Sequence, residues 1–260
     1  NGDVTLDQAS YIEKVAARFN ITPDFKPSTP LSVGTETTGQ TQMAANGENI
    51  KKVKKSENVL AKDIATLPPN DVAEFQSLIG SLLYLDGTRP DLTFSIHYLA
   101  RKIRDPCAAD VQQARRVLGY ALKTKERGLT YRGSRMPEGE MNVVYAYSDA
   151  SYAQNGDHVH QRKSCTGYAL MMNGAAISWH SKLQSTRAGS TVHAEVNALY
   201  SCVCDIVGIR TILEFLGYAQ TAPSPIFEDS NGALKLAYRS EVDYKRSQSY
   251  DVAVWRIREF

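Results

Sequence analysis

The dipeptide Asn173-Gly174 constrains this chain more than any other two residues. It separates two strand-like runs, Tyr168 to Met172 and Ala175 to Trp179. Asn-Gly readily takes the positive φ angles of a tight hairpin turn, so the two runs are expected to lie antiparallel. A third run, Val143 to Ser148, precedes them and ends in Asp149, and a fourth, Pro225-Ile226-Phe227, leads into Glu228-Asp229. Between the hairpin and that last run, Ser190 caps a long helix with Ala194, Ala198, Leu199, Cys202, Val203, Ile206, Ile209 and Leu213 on its apolar side. A short helix follows (Ala233, Leu234, Leu236, Ala237), and another starts near Tyr250. The order β-β-β-α-β-α over residues 141–260 implies an α/β domain in which a mixed sheet carries packed helices.

The first half reads differently. Val4-Thr5-Leu6 is a short strand, and Ile12, Val15, Ala16 and Phe19 recur at helical spacing before Pro23, Pro27 and Pro30 end the helix, giving a first segment at 1–32. Residues 33–70 form a polar loop, rich in Gly, Thr, Gln and Asn and then in lysine (Lys51, Lys52, Lys54, Lys55), expected to be solvated and mobile. Residues 71–136 read as a small helical domain. Order resumes at Phe75 with Leu78, Ile79, Leu82, Leu83 and Leu85, closed by Gly87. Asp91 suits an N-cap for a helix carrying Leu92, Phe94, Ile96, Leu99 and Ile103, and a third helix runs from about Asp110 with Val111, Ala114, Leu118, Ala121 and Leu122 inward. Gly133, Pro137 and Gly139 mark a linker.

Charge separates the halves again. The total is only +2, yet residues 97–135 carry ten Lys/Arg against Asp105, Asp110 and Glu126, whereas 141–260 are balanced at eleven of each sign. Such asymmetry suits a polyanion-facing surface. With 42% hydrophobic and 22% charged residues, the chain can bury a core and is neither disordered nor collagen-like. Its four cysteines (Cys107, Cys165, Cys202, Cys204) show no CxxC spacing, which suggests buried thiols in a reducing compartment. No apolar run approaching about 18 residues is evident, so no membrane partner is expected. A chain that opens on Asn1 and closes on Glu259-Phe260 reads as a piece of something longer.

Asp149 at one strand end, Glu195 on the first turns of the long helix and Asp229 at another strand end are raw material for a two-metal site, because Mg²⁺ takes hard oxygen ligands. Spacing alone leaves a second reading open, since an Asp at a strand end also serves as a turn residue or helix cap. The surrounding words add to this. Tyr147-Ser148-Asp149-Ala150-Ser151-Tyr152, Arg162-Lys163-Ser164-Cys165-Thr166-Gly167-Tyr168, Ala176-Ile177-Ser178-Trp179-His180-Ser181-Lys182-Leu183-Gln184-Ser185-Thr186, Ser190-Thr191-Val192-His193-Ala194-Glu195 and Phe227-Glu228-Asp229-Ser230-Asn231 occur in that order. Together they resemble the RNase H domain of copia-type (Pseudoviridae) retrotransposon polyproteins. Upstream, Tyr11-Ile12-Glu13-Lys14, Ser28-Thr29-Pro30-Leu31, Ser77 to Tyr84, Thr88-Arg89-Pro90-Asp91 and Ala114 to Tyr120 resemble the region after the polymerase palm, its thumb and connection.

The resemblance implies an RNase H-like mixed sheet preceded by a small, mainly helical thumb and connection domain. It implies hydrolysis of the RNA strand of an RNA–DNA hybrid with two Mg²⁺ (or Mn²⁺), held by carboxylates that match Asp149, Glu195 and Asp229. The family's fourth acidic residue lies on a helix after a fifth strand, in a stretch this chain lacks, and Asp251 sits where a structural or capping Asp is common. Val192-His193-Ala194-Glu195 stands where the family has Thr-Glu-Ala-Glu. The family's Tyr-x-Asp-Asp is absent; Tyr84-Leu85-Asp86-Gly87 comes nearest, so DNA synthesis is not expected. Implied partners are the hybrid and the rest of the polyprotein, including the palm and an integrase, and the implied location is intracellular, in cytoplasmic virus-like particles or the nucleus.

Arg162, Lys163, Ser164, Lys182 and Gln184 are candidate phosphate or sugar contacts beside the carboxylates, and Arg115 and Arg116 candidates on the basic helices; each reads equally as a solvated surface residue. His158, His160 and His180 have no partner spacing for zinc, His193 reads as a surface histidine, and Trp179 reads as core. Two alternatives to a nuclease stand beside it: an inactive remnant that binds nucleic acid, and a scaffold joining parts of the polyprotein.

Overall fold

The protein is described from a computed structural model, which covers residues 2–32, 67–133, 139, 141–153, 162–238 and 251–259. Most of the expected loop at 33–70, the interior of the linker, His158 and His160 lie outside the described residues. The chain divides into two compact units, one of residues 7–128 and one of residues 1–6 with 129–260.

The first unit is helical: α1 (Ala9–Arg18), α2 (Pro69–Leu85), α3 (Thr93–Ala100) and α4 (Ala108–Lys123). Its core holds apolar positions read from helical spacing, Ile12, Val15, Phe75, Leu78, Ile79, Leu82, Leu85, Ile96, Leu99, Ala114, Leu118 and Ala121, together with Val117, all buried. Helix α2 begins earlier than Phe75, because Pro69 supplies a preset φ at the first helical position, where a missing N–H costs nothing. Helix α4 begins at Ala108, where the Cys107 backbone N–H donates to the Asp110 carboxylate at 3.0 Å. Gly119 is required in α4, since a Cβ there would come within 2.5 Å of the Phe25 ring.

Asp91 does not cap α3. It lies in a 3-10 turn, Pro90–Leu92, and binds Arg89, which is 1% exposed. Arg89 donates through Nε to Asp91 Oδ1 and through Nη2 to Asp91 Oδ2, both at 2.8 Å. It also donates to the Thr124 carbonyl and hydroxyl just past α4. A buried guanidinium without a counter-ion is costly, so the local demand for charge pairing overrides the capping preference of Asp. Helix α3 ends at Ala100 rather than Ile103, and Asp86 instead accepts from the Thr93 hydroxyl and pairs with His97 Nε2 at 3.0 Å.

The second unit contains a small antiparallel pair, β1 (Val4–Leu6) with β2 (Leu129–Tyr131), which the sequence reading missed on the β2 side. Its main sheet has β3 (Tyr145–Ser151), β4 (Cys165–Met172), β5 (Ala175–Leu183) and β6 (Ile226–Glu228) in the order β5-β4-β3-β6. Strands β3, β4 and β5 pair antiparallel, while β6 joins β3 in parallel, so the sheet is mixed as expected. Asn173 and Gly174 take φ of 53° and 86°, the left-handed conformations that the hairpin turn needs. Helices α5 (Thr191–Phe215), α6 (Asn231–Tyr238) and α7 (Asp251–Glu259) complete the unit. Helix α7 begins at Asp251, and its Val254 is buried with Val196 of α5 and Ala233 of α6.

Helix α5 lies on the sheet through small side chains, with Ala150, Ala188, Ala194 and Ala198 in one cluster and Ala146, Leu170, Cys202 and Ile206 in the next. Contrary to the reading of the sequence, α5 is long and apolar enough, by length and composition, to cross a membrane; here its apolar side is spent on the sheet. The cysteines are all free, but only Cys165 and Cys202 are buried, Cys204 being exposed.

Burial pushes the Asp91 carboxyl up, but the hydrogen bonds and charge of Arg89 outweigh it and hold Asp91 below its ordinary value. A depressed carboxylate contributes stability above its unfolded value and loses it as the pH falls through the folded one. Replacing Asp91 with Asn strands the Arg89 charge, so the helical unit is expected to lose about 3 kcal/mol at neutral pH, read from denaturant unfolding by far-UV circular dichroism.

Candidate metal centre

Asp149 is the fifth of seven residues of β3, not the strand's last; it stands opposite Gly167 of β4, one residue beyond the end of the pairing with β6. Along β3, Ala146, Ser148 and Ala150 are buried, while Tyr147 and Asp149 are exposed. Strand β6 runs parallel to β3 with Ser148 opposite Glu228, so Asp229, the next residue, leaves the sheet beside Asp149. The Ser190 hydroxyl caps α5 by accepting the His193 N–H at 3.1 Å, which fixes where the first turns of the helix start. Glu195 sits on the following turn, only 5% exposed. Asp149, Glu195 and Asp229 each place a carboxylate oxygen such that the three lie within 4.8 Å of one another.

Three carboxylates at this distance repel. Burial, then the charges of Glu228 and Asp149, push Glu195 up to about 7, although the Ala150 backbone N–H acts the other way. Burial raises Glu228 as well, a residue the sequence reading passed over. Strand alternation was the available signal: Glu228 must face opposite to Phe227 and Asp229, toward the interior. Among the described residues, the buried side-chain oxygens without a hydrogen-bond partner are Ser148 Oγ, Glu195 Oε2 and Glu228 Oε2. All three belong to this junction of β3, β6 and α5. An orphaned buried oxygen among converging carboxylates fits a hard cation, so the Asp149–Glu195–Asp229 triad could hold a metal.

The other candidates are distributed unevenly. Arg162 is exposed just before β4, Lys163 is half-buried, and Lys182 is exposed on β5 opposite Thr166. Ser164 is fully buried, its hydroxyl accepting the Ala153 N–H at 3.3 Å. Gln184 is 7% exposed and uses its amide internally. In the helical unit, Arg115 reaches Glu74 at 3.5 Å, and Arg116 donates to the carbonyl and hydroxyl of Thr29. His193 is not a surface residue: it is 6% exposed, accepts the Gly189 N–H at Nδ1, and burial holds it below its ordinary value. Trp179 packs beside Leu129, Ala175 and Ala176, as expected of core. Tyr84 and Leu85 close α2, so the Tyr84–Gly87 word is a helix end.

The chain is thus an α/β protein whose mixed four-stranded sheet and overlying helix bring three carboxylates together. Comparison with known proteins places it more narrowly. It is 30% identical over 255 residues, 98% of its length, to the retrovirus-related Pol polyprotein from transposon TNT 1-94 of Nicotiana tabacum. It is also 30% identical over 166 residues to the Pol polyprotein from transposon RE1 of Arabidopsis thaliana, and 31% identical over 183 residues to the putative transposon Ty5-1 protein of Saccharomyces cerevisiae. The chain is homologous over most of its length to copia-type retrotransposon Pol polyproteins. It spans 17%, 11% and 49% of those three relatives. No family model matches it, and no solved structure matches it significantly.

Because the folded value of Glu195 lies above its unfolded value near 4.5, its contribution to the stability of the metal-free unit is fully present below that lower value and is lost as the pH rises through about 7. Glu195→Gln cannot ionise. In chelator at pH 8 the variant is expected to be more stable than the parent by about 1–3 kcal/mol, with the difference vanishing toward pH 4. Both tryptophans, Trp179 and Trp255, belong to the sheet unit, so denaturation followed by tryptophan fluorescence reads this effect without interference from the helical unit.

Proposed function

We propose that this chain carries the RNase H-type ribonuclease portion of a retrotransposon reverse transcriptase and hydrolyses RNA within RNA–DNA hybrids. The observation that carries the reading is the convergence of Asp149, Glu195 and Asp229 from β3, α5 and β6 at a place where a buried Glu195 oxygen has no partner. Homology to copia-type Pol polyproteins supplies the biological setting. The three carboxylates would hold two Mg²⁺ (or Mn²⁺), which supply water activation and charge neutralisation at the leaving 3′-oxygen.

The chain's own residues divide the remaining work. Asp149 and Asp229, both exposed, present oxygens toward a bound phosphodiester, while buried Glu195 anchors the centre from the helix side. Ionised Glu195 is needed for metal binding, so metal affinity rises with pH as its carboxyl, held up by burial in the metal-free unit, loses its proton. Exposed Arg162, just before β4, and Lys182, on β5, would hold backbone phosphates, a contact without sequence preference and weakened by salt. Choice of RNA over DNA rests on the 2′-hydroxyl and the shape of the hybrid.

A labelled RNA–DNA hybrid with Mg²⁺ tests the proposal directly. The expected outcome is RNA-strand cleavage that falls by roughly two orders of magnitude or more in Asp149→Asn. Salt-sensitive binding without cleavage in the parent chain would instead identify a binding remnant.

The helical unit supports a second reading, as a scaffold within the polyprotein. Arg115 and Arg116, the centre of its basic stretch, are engaged with Glu74 and Thr29 rather than held free for phosphate. On that reading Arg116→Glu leaves hybrid affinity unchanged, whereas a phosphate-contacting Arg116 would lose affinity about several-fold and flatten the salt dependence, as measured by fluorescence anisotropy.

A further inference from the structure

Gln184 follows β5 directly and is 7% exposed. Its backbone N–H donates to the Ser164 carbonyl at 2.9 Å, which continues the β4–β5 ladder by one step. Its side-chain amide makes three contacts: Nε2 donates to Thr166 Oγ1 at 3.1 Å and to the Ala194 carbonyl at 2.8 Å, and Oε1 accepts from Asn197 Nδ2 at 3.2 Å. Both donors of the amide are therefore used, in a site with almost no access to water.

The identity of the partners matters more than their number. Thr166 stands opposite Ala150 in the β3–β4 register. Ala150 follows Asp149, and its backbone N–H is directed at the Glu195 carboxylate. Ala194 precedes Glu195, and Asn197 follows it by two residues. The contacts thus close a ring: β3 at Ala150, β4 at Thr166, the Gln184 amide, α5 at Ala194, Glu195, and back to Ala150. The ring passes through two of the three carboxylate-bearing elements and is tied by one side chain.

We infer that Gln184 is a positioning residue for the carboxylate centre, acting through Glu195 by fixing the depth and rotation of the first turns of α5 against β3 and β4. The inference rests on the proposed metal-binding role of the triad. Alternatives to Gln at this position fail for identifiable reasons. An apolar side chain of equal length leaves Thr166 and the Ala194 carbonyl without this donor, Asn is one methylene too short to span both, and Glu sets a carboxylate against a carbonyl oxygen. The alanine contacts of α5 with the sheet set a distance, but smooth surfaces of that kind leave sliding and rotation cheap. A two-donor amide fixes both. Hydrogen-bonded side chains behind metal ligands typically contribute 10–100-fold to metal affinity.

The test is Mn²⁺ affinity of the full chain, read from the electron paramagnetic resonance signal of free Mn²⁺, for the parent chain, Asp149→Asn, Gln184→Met and Thr166→Val. The parent is expected to bind in a manner that Asp149→Asn abolishes. Gln184→Met, which conserves volume, is expected to weaken binding about 10-fold or more while keeping the far-UV circular dichroism of the parent. Thr166→Val removes one acceptor without changing shape and is expected to cost several-fold; it carries the test if Gln184→Met does not fold. A merely structural Gln184 would lower the melting temperature and leave Mn²⁺ affinity of the folded protein unchanged, and unchanged affinity in the folded variants overturns the inference. Parent binding that is absent, or insensitive to Asp149→Asn, would instead overturn the reading of the triad on which it rests.

Discussion

Helix α5 rests on β3 and β4 through alanines, and the centre depends on that contact. Ala150 on β3 meets a helix face lined by Ala194 and Ala198, and Ala146 meets Cys202 and Ile206 farther along, all at most 7% exposed. Larger side chains at these positions would lift the helix away and return Glu195 to solvent. Instead the close approach places its carboxylate inside the unit, where the charged form is poorly solvated. The resulting upward shift to about 7 is the electrostatic signature of a helix packed this near to Asp149 and Glu228. The apolar contacts farther along α5, at Cys202 and Ile206, and those of α6 and α7 at Val196, Ala233 and Val254, offset the cost of that arrangement.

A different economy governs the helical unit. Its core is continuous and apolar, from Ile12 in α1 to Leu118 in α4, and its buried charge is neutralised within a few residues by Asp91. Arg89 is engaged through all three of its nitrogens, Nε and Nη2 with the two oxygens of Asp91 and Nη1 and Nη2 with two oxygens of Thr124. Nothing in that network is left wanting a ligand. The contrast with Glu195 is chemical, because both are charges removed from water and only one has been given its complement by the chain.

Much of this arrangement could be read from the residues, and the exceptions share a cause. Periodic apolar positions located the helices, and the Asn173-Gly174 turn located the hairpin, because these signals are local. Asp149, Glu195 and Asp229 were also legible as raw material for one site, two at strand ends and one on the first turns of the long helix; their convergence comes from β6 lying beside β3. Readings failed where a distant partner outbid a local preference. Asp91 is a good N-cap by type, but buried Arg89 claims it. His193 looked like a surface residue because nothing in the sequence shows the Gly189 amide folding over its ring. Gln184, with its polar neighbours, looked like a surface contact for nucleic acid; its burial depends on where α5 returns to the sheet, ten residues later. Leu129–Tyr131 escaped notice as a strand because its partner lies at the opposite end of the sequence.

The unsatisfied atoms give the strongest reason to regard the junction of β3, β6 and α5 as built for something. Buried oxygens are normally matched with donors, and an unmatched one costs about 1–3 kcal/mol. Among the described residues the unmatched ones lie on Ser148, Glu195 and Glu228; Ser148 stands opposite Glu228 and its hydroxyl favours that carboxylate, which leaves Glu195 as the residue without a complement. Random imperfection would scatter such defects through both units. Here they fall together, beside two further carboxylates, where β3, β6 and α5 meet. A chain under selection for stability alone has no use for a buried carboxylate set against Asp149, Asp229 and Glu228. Retaining a carboxylate there, and holding its helix in place with the buried Gln184 amide, makes physical sense when a cation completes the set.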